Sequence, residues 1–229
     1  MRRVGIIGGV SWQSTIDYYR GLNELSEKAG DGFSTVDIII YSLNFQMVEE
    51  LQRKGDWKSM TKIIEEISIK LIGAGAELIS IASNTLHKIL PDIKGKIRVP
   101  FISIIDAVAE TIKEKQIKKT ALLGTRFTMK EGFYKEELSE KTETEIIIPD
   151  EKDMGIVDDI IFNELTKNII NQSSKKKISD IIDKMVKRGA EGVILGCTEL
   201  PLLISEGETS AFVLNSTKIH INYIYNMLK

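Results

Sequence analysis

The feature that most constrains the fold of this chain is a short motif that occurs twice. The segment GAELISIASNTLH begins at Gly75, and the segment GAEGVILGCTELP begins at Gly189. Both open with Gly-Ala-Glu, continue with five residues of strand character, and then align residues 83–85 with residues 197–199 without a gap. This match predicts a duplicated structural unit. The general similarity of any two strand–helix pairs is the alternative explanation.

A second match supports the duplication. The opening segment VGIIGGVS (4–11) resembles TALLGTRF (120–127), with almost the same separation as the first match. A chain of 229 residues is long enough for one large or two small domains. We therefore predict two similar domains, residues 1–103 plus 212–229 and residues 104–211.

Short apolar runs alternate with longer amphipathic segments along the whole chain. Helical spacing of apolar residues marks 57–72 and 178–186. Eight runs have strand length: 4–7, 36–41, 78–82, 101–104, 120–123, 145–148, 192–195 and 212–214. This alternation predicts an α/β fold of two pseudo-symmetric domains with mainly parallel sheets.

The duplication predicts where a site would lie. Ser83 and Cys197 each follow an apolar strand and precede a helix, and ligands of parallel sheets bind at the carboxyl ends of the strands. A pseudo-twofold axis would place these two residues on opposite sides of one cleft between the domains. Backbone N–H groups that follow them would hold an anion there.

Composition excludes several classes of function. The net charge is −2, which argues against a nucleic-acid or anionic-membrane partner. No apolar run approaches the ~18 residues that cross a bilayer, and the only cysteine, Cys197, suits a reducing cytoplasm. We expect no metal, because His87 and His220 stand apart from any cluster of ligands. We expect no nucleotide cofactor, because GIIGGVS does not spell G-x-G-x-x-G.

A hydroxyl and a thiol facing each other suit proton transfer at carbon. One group removes a proton from one face of a small anionic substrate, and the other delivers a proton to the opposite face. We expect helix N-termini to lower the pKa of the Cys197 thiol from its usual ~8.5.

Five motifs together resemble the aspartate/glutamate racemase family, in particular its bacterial members that act on aspartate and glutamate. The resemblance covers essentially the whole chain. The motifs are GIIGGVSWQSTIDYY (5–19), EELQRKGDW (49–57), SNTLH (83–87), LLGTRFTM (122–129) and GCTE (196–199). Membership implies catalysis without pyridoxal phosphate, metal or nucleotide, a free amino acid as substrate, and a homodimer to which Tyr41, Phe45 and Trp57 could contribute.

The resemblance also assigns roles to individual residues. Cys197 matches the second catalytic cysteine of the family, and Ser83 stands where most members have the first. The remaining positions correspond to residues that line the substrate site. These residues are Val10, Ser11, Gln52, Asn84, Thr85, Thr125, Lys167 and Thr198.

Ser83 is the one departure that bears on mechanism, because a hydroxyl is several pKa units less acidic than a thiol. Three interpretations stay open. Ser83 belongs to a natural enzyme with an asymmetric pair, or it replaces a native cysteine and leaves a variant that binds substrate without turnover. In the third, the chain is a single-cysteine lyase or isomerase of a dicarboxylate. A serine hydrolase is a weaker alternative, because the G-x-S-x-G motif is absent.

Overall fold

The chain, described here over all residues 1–229 by a computed structural model, forms two compact units. The first comprises residues 1–103 and 220–229, and the second comprises residues 104–219. Each unit contains one four-stranded parallel sheet with helices. The prediction of an α/β fold with mainly parallel sheets is therefore confirmed.

The first unit contains four strands in the order in which the apolar runs predicted them. Its elements are β1 (Val4–Gly8), α1 (Trp12–Ala29), β2 (Ile38–Ser42), α2 (Phe45–Lys54), α3 (Trp57–Gly73), β3 (Leu78–Ile81), a 3₁₀ turn (Thr85–Ile89), α4 (Leu90–Ile93) and β4 (Phe101–Ile102). Helix α3 begins where Asp56 caps it, since the Asp56 carboxylate accepts the backbone N–H of Ser59 at 3.1 Å.

The second unit repeats this plan. Its elements are α5 (Ile104–Lys115), β5 (Lys119–Gly124), α6 (Arg126–Lys130), α7 (Phe133–Thr142), β6 (Glu145–Ile147), α8 (Glu151–Asn163), a 3₁₀ turn (Leu165–Lys167), α9 (Gln172–Lys187), β7 (Gly192–Gly196), a 3₁₀ turn (Leu200–Leu202) and β8 (Phe212–Asn215). The last helix, α10 (Ser216–Leu228), begins in the second unit and continues into the first.

The two sheets have the same topology. The strand order is β2-β1-β3-β4 in one and β6-β5-β7-β8 in the other. All six strand pairs are parallel. The duplication inferred from the repeated motif thus appears as a repeated topology, in which β3 corresponds to β7 and β1 to β5.

The repeated Gly-Ala-Glu segment performs the same structural task in both units. The Glu77 carboxylate accepts the backbone N–H of Arg3 just before β1 at 2.8 Å, and Glu191 accepts that of Lys118 just before β5 at 2.7 Å. Gly75 and Gly189 have φ angles of 100° and 92°, which residues with a side chain rarely adopt. The motif thus turns the chain out of a helix and aligns the next strand.

Side chains alternate between the two faces of each sheet, as the period of a strand requires. In the second sheet, Leu123 and Leu195 belong to one buried apolar cluster, whereas Leu122 and Ile194 belong to another. Both faces of the central strands are therefore buried, which explains why these strands read as continuous apolar runs.

The pairing of strand β8 differs from what the sequence-based domain boundary implied. That boundary grouped residues 212–229 with the first domain, whereas β8 pairs with β7 in the second sheet, with Gly192 opposite Phe212. Residues 212–219 consequently lie in the second unit and residues 220–229 in the first.

None of the helices is both long enough and apolar enough to cross a membrane.

Candidate functional site

The first group of predicted site residues lies where β1 and its neighbour β3 end. Val10 and Ser11 follow β1, and Ser83 follows β3. The two strand ends are tied together, because the backbone N–H of Ala82 donates to the carbonyl of Ile7 at 2.9 Å. A side chain on Gly9 would come within 2.2 Å of the Leu43 carbonyl oxygen, so this loop can pass β2 so closely only as glycine.

Ser83 is held at both its side chain and its backbone. Its Oγ lies 3.5 Å from the backbone nitrogen of Leu86, at the outer limit of a hydrogen bond. Its carbonyl oxygen accepts a much shorter bond, 2.6 Å, from Nδ1 of His87. Ser83, Asn84 and Thr85 are all buried. The Ser83 hydroxyl is thus fixed mainly through its backbone, and its Oγ is only weakly engaged.

The second group lies at the equivalent edge of the other unit, where β5 and β7 end side by side. Gly124 and Gly196, the last residues of these strands, are opposite each other in the register. Thr125 follows Gly124 and caps α6 by accepting the backbone N–H of Thr128 at 3.3 Å. Cys197 and Thr198 follow Gly196, so three of the predicted site residues share this edge.

Glu199 is a functional candidate that the sequence analysis missed as a side chain. The Cys197 thiol donates to Glu199 Oε2 at 2.9 Å, and the Thr198 hydroxyl donates to the same oxygen at 2.7 Å. All three residues are buried. The signal lies in the motif GCTE, which places a carboxylate two residues after the thiol.

The thiol is more basic than the sequence predicted. Burial raises the pKa of Cys197 well above its usual value, and the negative charge of Glu199 raises it further. The expectation that a helix N-terminus would lower this pKa is wrong. The segment after Cys197 is a single 3₁₀ turn, Leu200–Leu202, which has too few aligned peptide dipoles to offset burial. The resting form is therefore the thiol.

Two predicted residues lie on other elements of the chain. Gln52 is buried in α2, and its Nε2 has no hydrogen-bond partner in the protein. A buried donor of this kind is costly unless an acceptor binds to it. Lys167 is exposed at the end of a 3₁₀ turn. Neither is hydrogen-bonded to Ser83 or Cys197. No group of three or more His, Cys, Asp or Glu side chains is placed to hold a metal ion.

The chain matches the model of the Asp/Glu/Hydantoin racemase family over residues 7–224. This match includes both strand-end groups and covers nearly the whole chain. The chain therefore belongs to the Asp/Glu/Hydantoin racemase family, whose members act on small molecules of the amino-acid class.

Solved structures agree with this assignment. A candidate Asp/Glu racemase from Yersinia pestis is 40% identical, with a TM-score of 0.93 over 100% of this chain and 99% of that chain. An aspartate racemase homologue from Pyrococcus horikoshii is 38% identical, with a TM-score of 0.87 over 100% and 99%. Among sequence relatives, the broad specificity amino-acid racemase RacX of Bacillus subtilis is 23% identical over 93% of this chain and 92% of its own length.

Proposed function

We propose that this protein racemises aspartate, glutamate or both without a cofactor, by proton transfer at Cα. The observation that carries the proposal is the equivalence of two strand ends. Ser83 follows β3 and Cys197 follows β7, and these strands occupy the same place in two sheets of identical order. A duplicated scaffold thus presents a hydroxyl and a thiol at corresponding positions in a family of racemases.

Cys197 and Glu199 form the acid–base pair on one face of the substrate. Glu199 accepts the thiol proton along the existing 2.9 Å hydrogen bond, and the resulting thiolate removes the Cα proton. In the opposite direction the thiol donates its proton to the carbanion. The raised pKa of Cys197 makes the thiolate a strong base once formed, which matters because the Cα proton of an amino acid is only weakly acidic.

Ser83 serves the other face. Its hydroxyl donates a proton to the carbanion and is left as an alkoxide. Before the next turnover in the same direction the alkoxide takes a proton from solvent and Glu199 releases its proton to solvent, whereas in the reverse turnover the alkoxide removes the Cα proton. A hydroxyl donates to a carbanion more readily than it removes a Cα proton, since its pKa is several units above that of a thiol. We therefore expect unequal kcat values from the two enantiomers, with KM values in the same ratio, because the equilibrium constant of racemisation is 1.

The substrate-binding roles are also part of the proposal. Val10, Ser11, Asn84 and Thr85 belong to the edge that carries Ser83, and Thr125 and Thr198 belong to the edge that carries Cys197. Backbone N–H and hydroxyl groups of these residues donate to the α-carboxylate, and hydroxyl oxygens accept from the amino group. Gln52 offers its unpartnered Nε2–H to a substrate oxygen. Lys167 is a candidate cation for the distal carboxylate, and the residue that binds that carboxylate stays open.

The deciding experiment is Cα–H exchange of L- and D-aspartate and of L- and D-glutamate in D₂O, followed by NMR and chiral chromatography. We expect exchange and inversion, with different rates from the two enantiomers. Cys197→Ala should lower both rates by about 100-fold or more, because a general base is typically worth about 10²–10⁴-fold. Ser83→Cys should bring the two rates closer together.

The outcomes separate the competing functions. If the wild type is inactive and Ser83→Cys is active, the protein is a racemase fold impaired by Ser83 that binds substrate without turnover. If both are inactive but CO₂ is released from a malonate-type acid, the protein is a single-cysteine lyase. That alternative is favoured by one observation, the pairing of the sole thiol with a buried carboxylate, because decarboxylation needs only one proton donor.

We further propose a homodimer in a reducing, cytoplasmic environment. An apolar stripe on α1, formed by Trp12, Ile16 and Tyr19, is 41–62% exposed and borders a 270 Å³ groove with Ile40 of the edge strand β2. Exposed apolar patches of this kind often mark protein contacts. Of the aromatic residues first considered, only Tyr41 is exposed, since Phe45 and Trp57 pack against the apolar core.

A further inference from the structure

Two buried histidines lie beside Ser83 in the first unit. His87 and His220 are 1% and 0% exposed, and their rings meet edge to face with centroids 5.8 Å apart. Neither has been given a role in proton transfer. Buried imidazoles are costly unless their nitrogens are hydrogen-bonded, so their partners indicate what each ring does.

The partners of His220 fix it as a neutral structural residue. Its Nε2 donates to the carbonyl oxygen of Ile102 at 3.2 Å, and its Nδ1 accepts the Tyr18 hydroxyl at 2.7 Å. Burial lowers the pKa of His220 well below its usual value, and the nearby His87 lowers it further. His220 is therefore an uncharged ring, and the His87 ring packs against it edge to face.

His87 has a different contact, because its ring bonds to the backbone of the proposed catalytic residue. Its Nδ1 lies 2.6 Å from the Ser83 carbonyl oxygen. A carbonyl oxygen can only accept, so Nδ1 carries the proton. The backbone N–H of His87 bonds elsewhere, to the Asn84 carbonyl. The His87 ring therefore donates a hydrogen bond to the Ser83 carbonyl, whereas the backbone N–H of His87 bonds to the Asn84 carbonyl instead.

This contact orients the peptide unit that joins Ser83 to Asn84. In a trans peptide the C=O and N–H bonds point in opposite directions within one plane. Because His87 holds the Ser83 carbonyl toward the buried histidine pair, the N–H of Asn84 points away from that pair. The same contact fixes the backbone of Ser83, from which its hydroxyl extends. The hydroxyl itself is only weakly held, since its Oγ lies 3.5 Å from the backbone nitrogen of Leu86.

We propose that His87 is a positioning residue, whose Nδ1–H holds the Ser83 carbonyl and so aims the Asn84 N–H and the Ser83 hydroxyl at the substrate. This inference rests on the proposed racemase function.

Two substitutions of similar polarity separate this role from simple packing. In His87→Asn, the side-chain N–H occupies nearly the place of Nδ1 and can still reach the carbonyl. In His87→Gln, the N–H lies nearer the place of Nε2. Ser80→Ala is the matched control. Ser80 lies on β3, the strand that precedes Ser83, and it bonds to His220 and Ile102 but not to Ser83.

We expect His87→Asn and Ser80→Ala to keep kcat within about threefold of wild type, and His87→Gln to lower it by up to about 100-fold, as a misplacement of about 1 Å can do. Equal losses in His87→Asn and His87→Gln, with both proteins folded, would show that the ring serves only to fill space.

An NMR measurement tests the inference without turnover. Long-range ¹H–¹⁵N spectra should show Nδ1 of His87 protonated, and the Asn84 amide resonance should shift on addition of L-aspartate in wild type and His87→Asn but not in His87→Gln. An unprotonated Nδ1, or an Asn84 shift that survives in His87→Gln, would overturn the positioning role. Loss of racemisation in both wild type and Ser83→Cys would instead contradict the proposed function, and the NMR result would still stand.

Discussion

At the scale of single residues, the site is defined by which polar atoms are paired and with what. Cys197 and Ser83 occupy equivalent positions, yet their surroundings differ. The thiol donates to the buried Glu199 carboxylate, whereas the Ser83 carbonyl is held by a histidine and its hydroxyl is nearly unengaged. The two units have therefore kept one backbone plan but carry different groups, a thiol bonded to a carboxylate in the second unit and a weakly bonded hydroxyl in the first.

The charge of Glu199 should be measurable through the thiol. We expect Glu199→Gln to lower the pKa of Cys197, because it removes the negative charge that disfavours the thiolate. Thiolate absorbance followed against pH reports this pKa once the tyrosine contribution, measured on Cys197→Ala protein, is subtracted, since Cys197 is the only cysteine. The inflection should move to lower pH while racemisation becomes slower, because the proton acceptor is gone.

Glu206→Gln is the control for that measurement. Glu206 belongs to the same unit but is exposed and pairs with Lys218 on the surface. Its replacement should leave the inflection where it is in the wild type. An unchanged or higher inflection in Glu199→Gln would mean that burial alone sets the pKa of Cys197.

At the scale of elements, helices α1 and α7 are each anchored by one fully buried tyrosine, and the two anchors differ in one hydrogen bond. Tyr18 on α1 donates to His220 Nδ1 at 2.7 Å. The Tyr134 hydroxyl on α7 is equally buried but has no protein partner, and burial raises its pKa. Tyr134 therefore contributes to the packing of α7 only through its apolar ring, whereas Tyr18 also contributes a polar contact to α1.

Tyr→Phe substitutions should distinguish the two helices. Tyr18→Phe should lower the free energy of unfolding by about 1–3 kcal/mol, because it leaves His220 Nδ1 buried without a donor. Tyr134→Phe should be neutral or stabilising by up to about 1 kcal/mol, because it removes an unsatisfied hydroxyl. Urea unfolding of both variants measures the difference. A comparable loss in Tyr134→Phe would show that its hydroxyl has a partner, such as a bound water.

At the scale of the whole molecule, the proposed dimer depends on a surface rather than on the site. The stripe of Trp12, Ile16 and Tyr19 follows helical spacing and adjoins strand β2, which is an edge of its sheet. Edge strands present unpaired backbone groups that favour pairing with another chain. A second copy of the chain covering this stripe would protect both the edge and the apolar side chains.

Ile16→Asp should therefore yield a monomer, since a buried unpaired charge at a contact is costly. Sedimentation velocity compares the masses in solution. Ile69→Asp is the matched control, because Ile69 is 57% exposed on α3 and lies outside the stripe, and it should leave the mass unchanged. If wild type already sediments as a monomer, or if Ile16→Asp remains a dimer, the stripe is not the contact.

Much of this protein follows from the sequence alone, for a definite physical reason. The eight apolar runs of the sequence correspond to the eight strands. For the central strands β1, β3, β5 and β7 the reason is that residues buried on both faces of a parallel sheet must be apolar. The repeated Gly-Ala-Glu motif revealed the duplication because both copies need a positive φ and a carboxylate that meets the next strand.

Tertiary structure decided what local pattern could not. Strand β8 joins the second sheet by pairing with β7. The local sequence of residues 212–215 does not indicate which strand is its partner. The pKa of Cys197 rises because distant side chains bury it beside Glu199, and His87 reaches a backbone carbonyl rather than the Ser83 hydroxyl. Sequence determined the elements and the chemical groups, whereas the desolvation and pairing of those groups depend on contacts that only the folded chain makes.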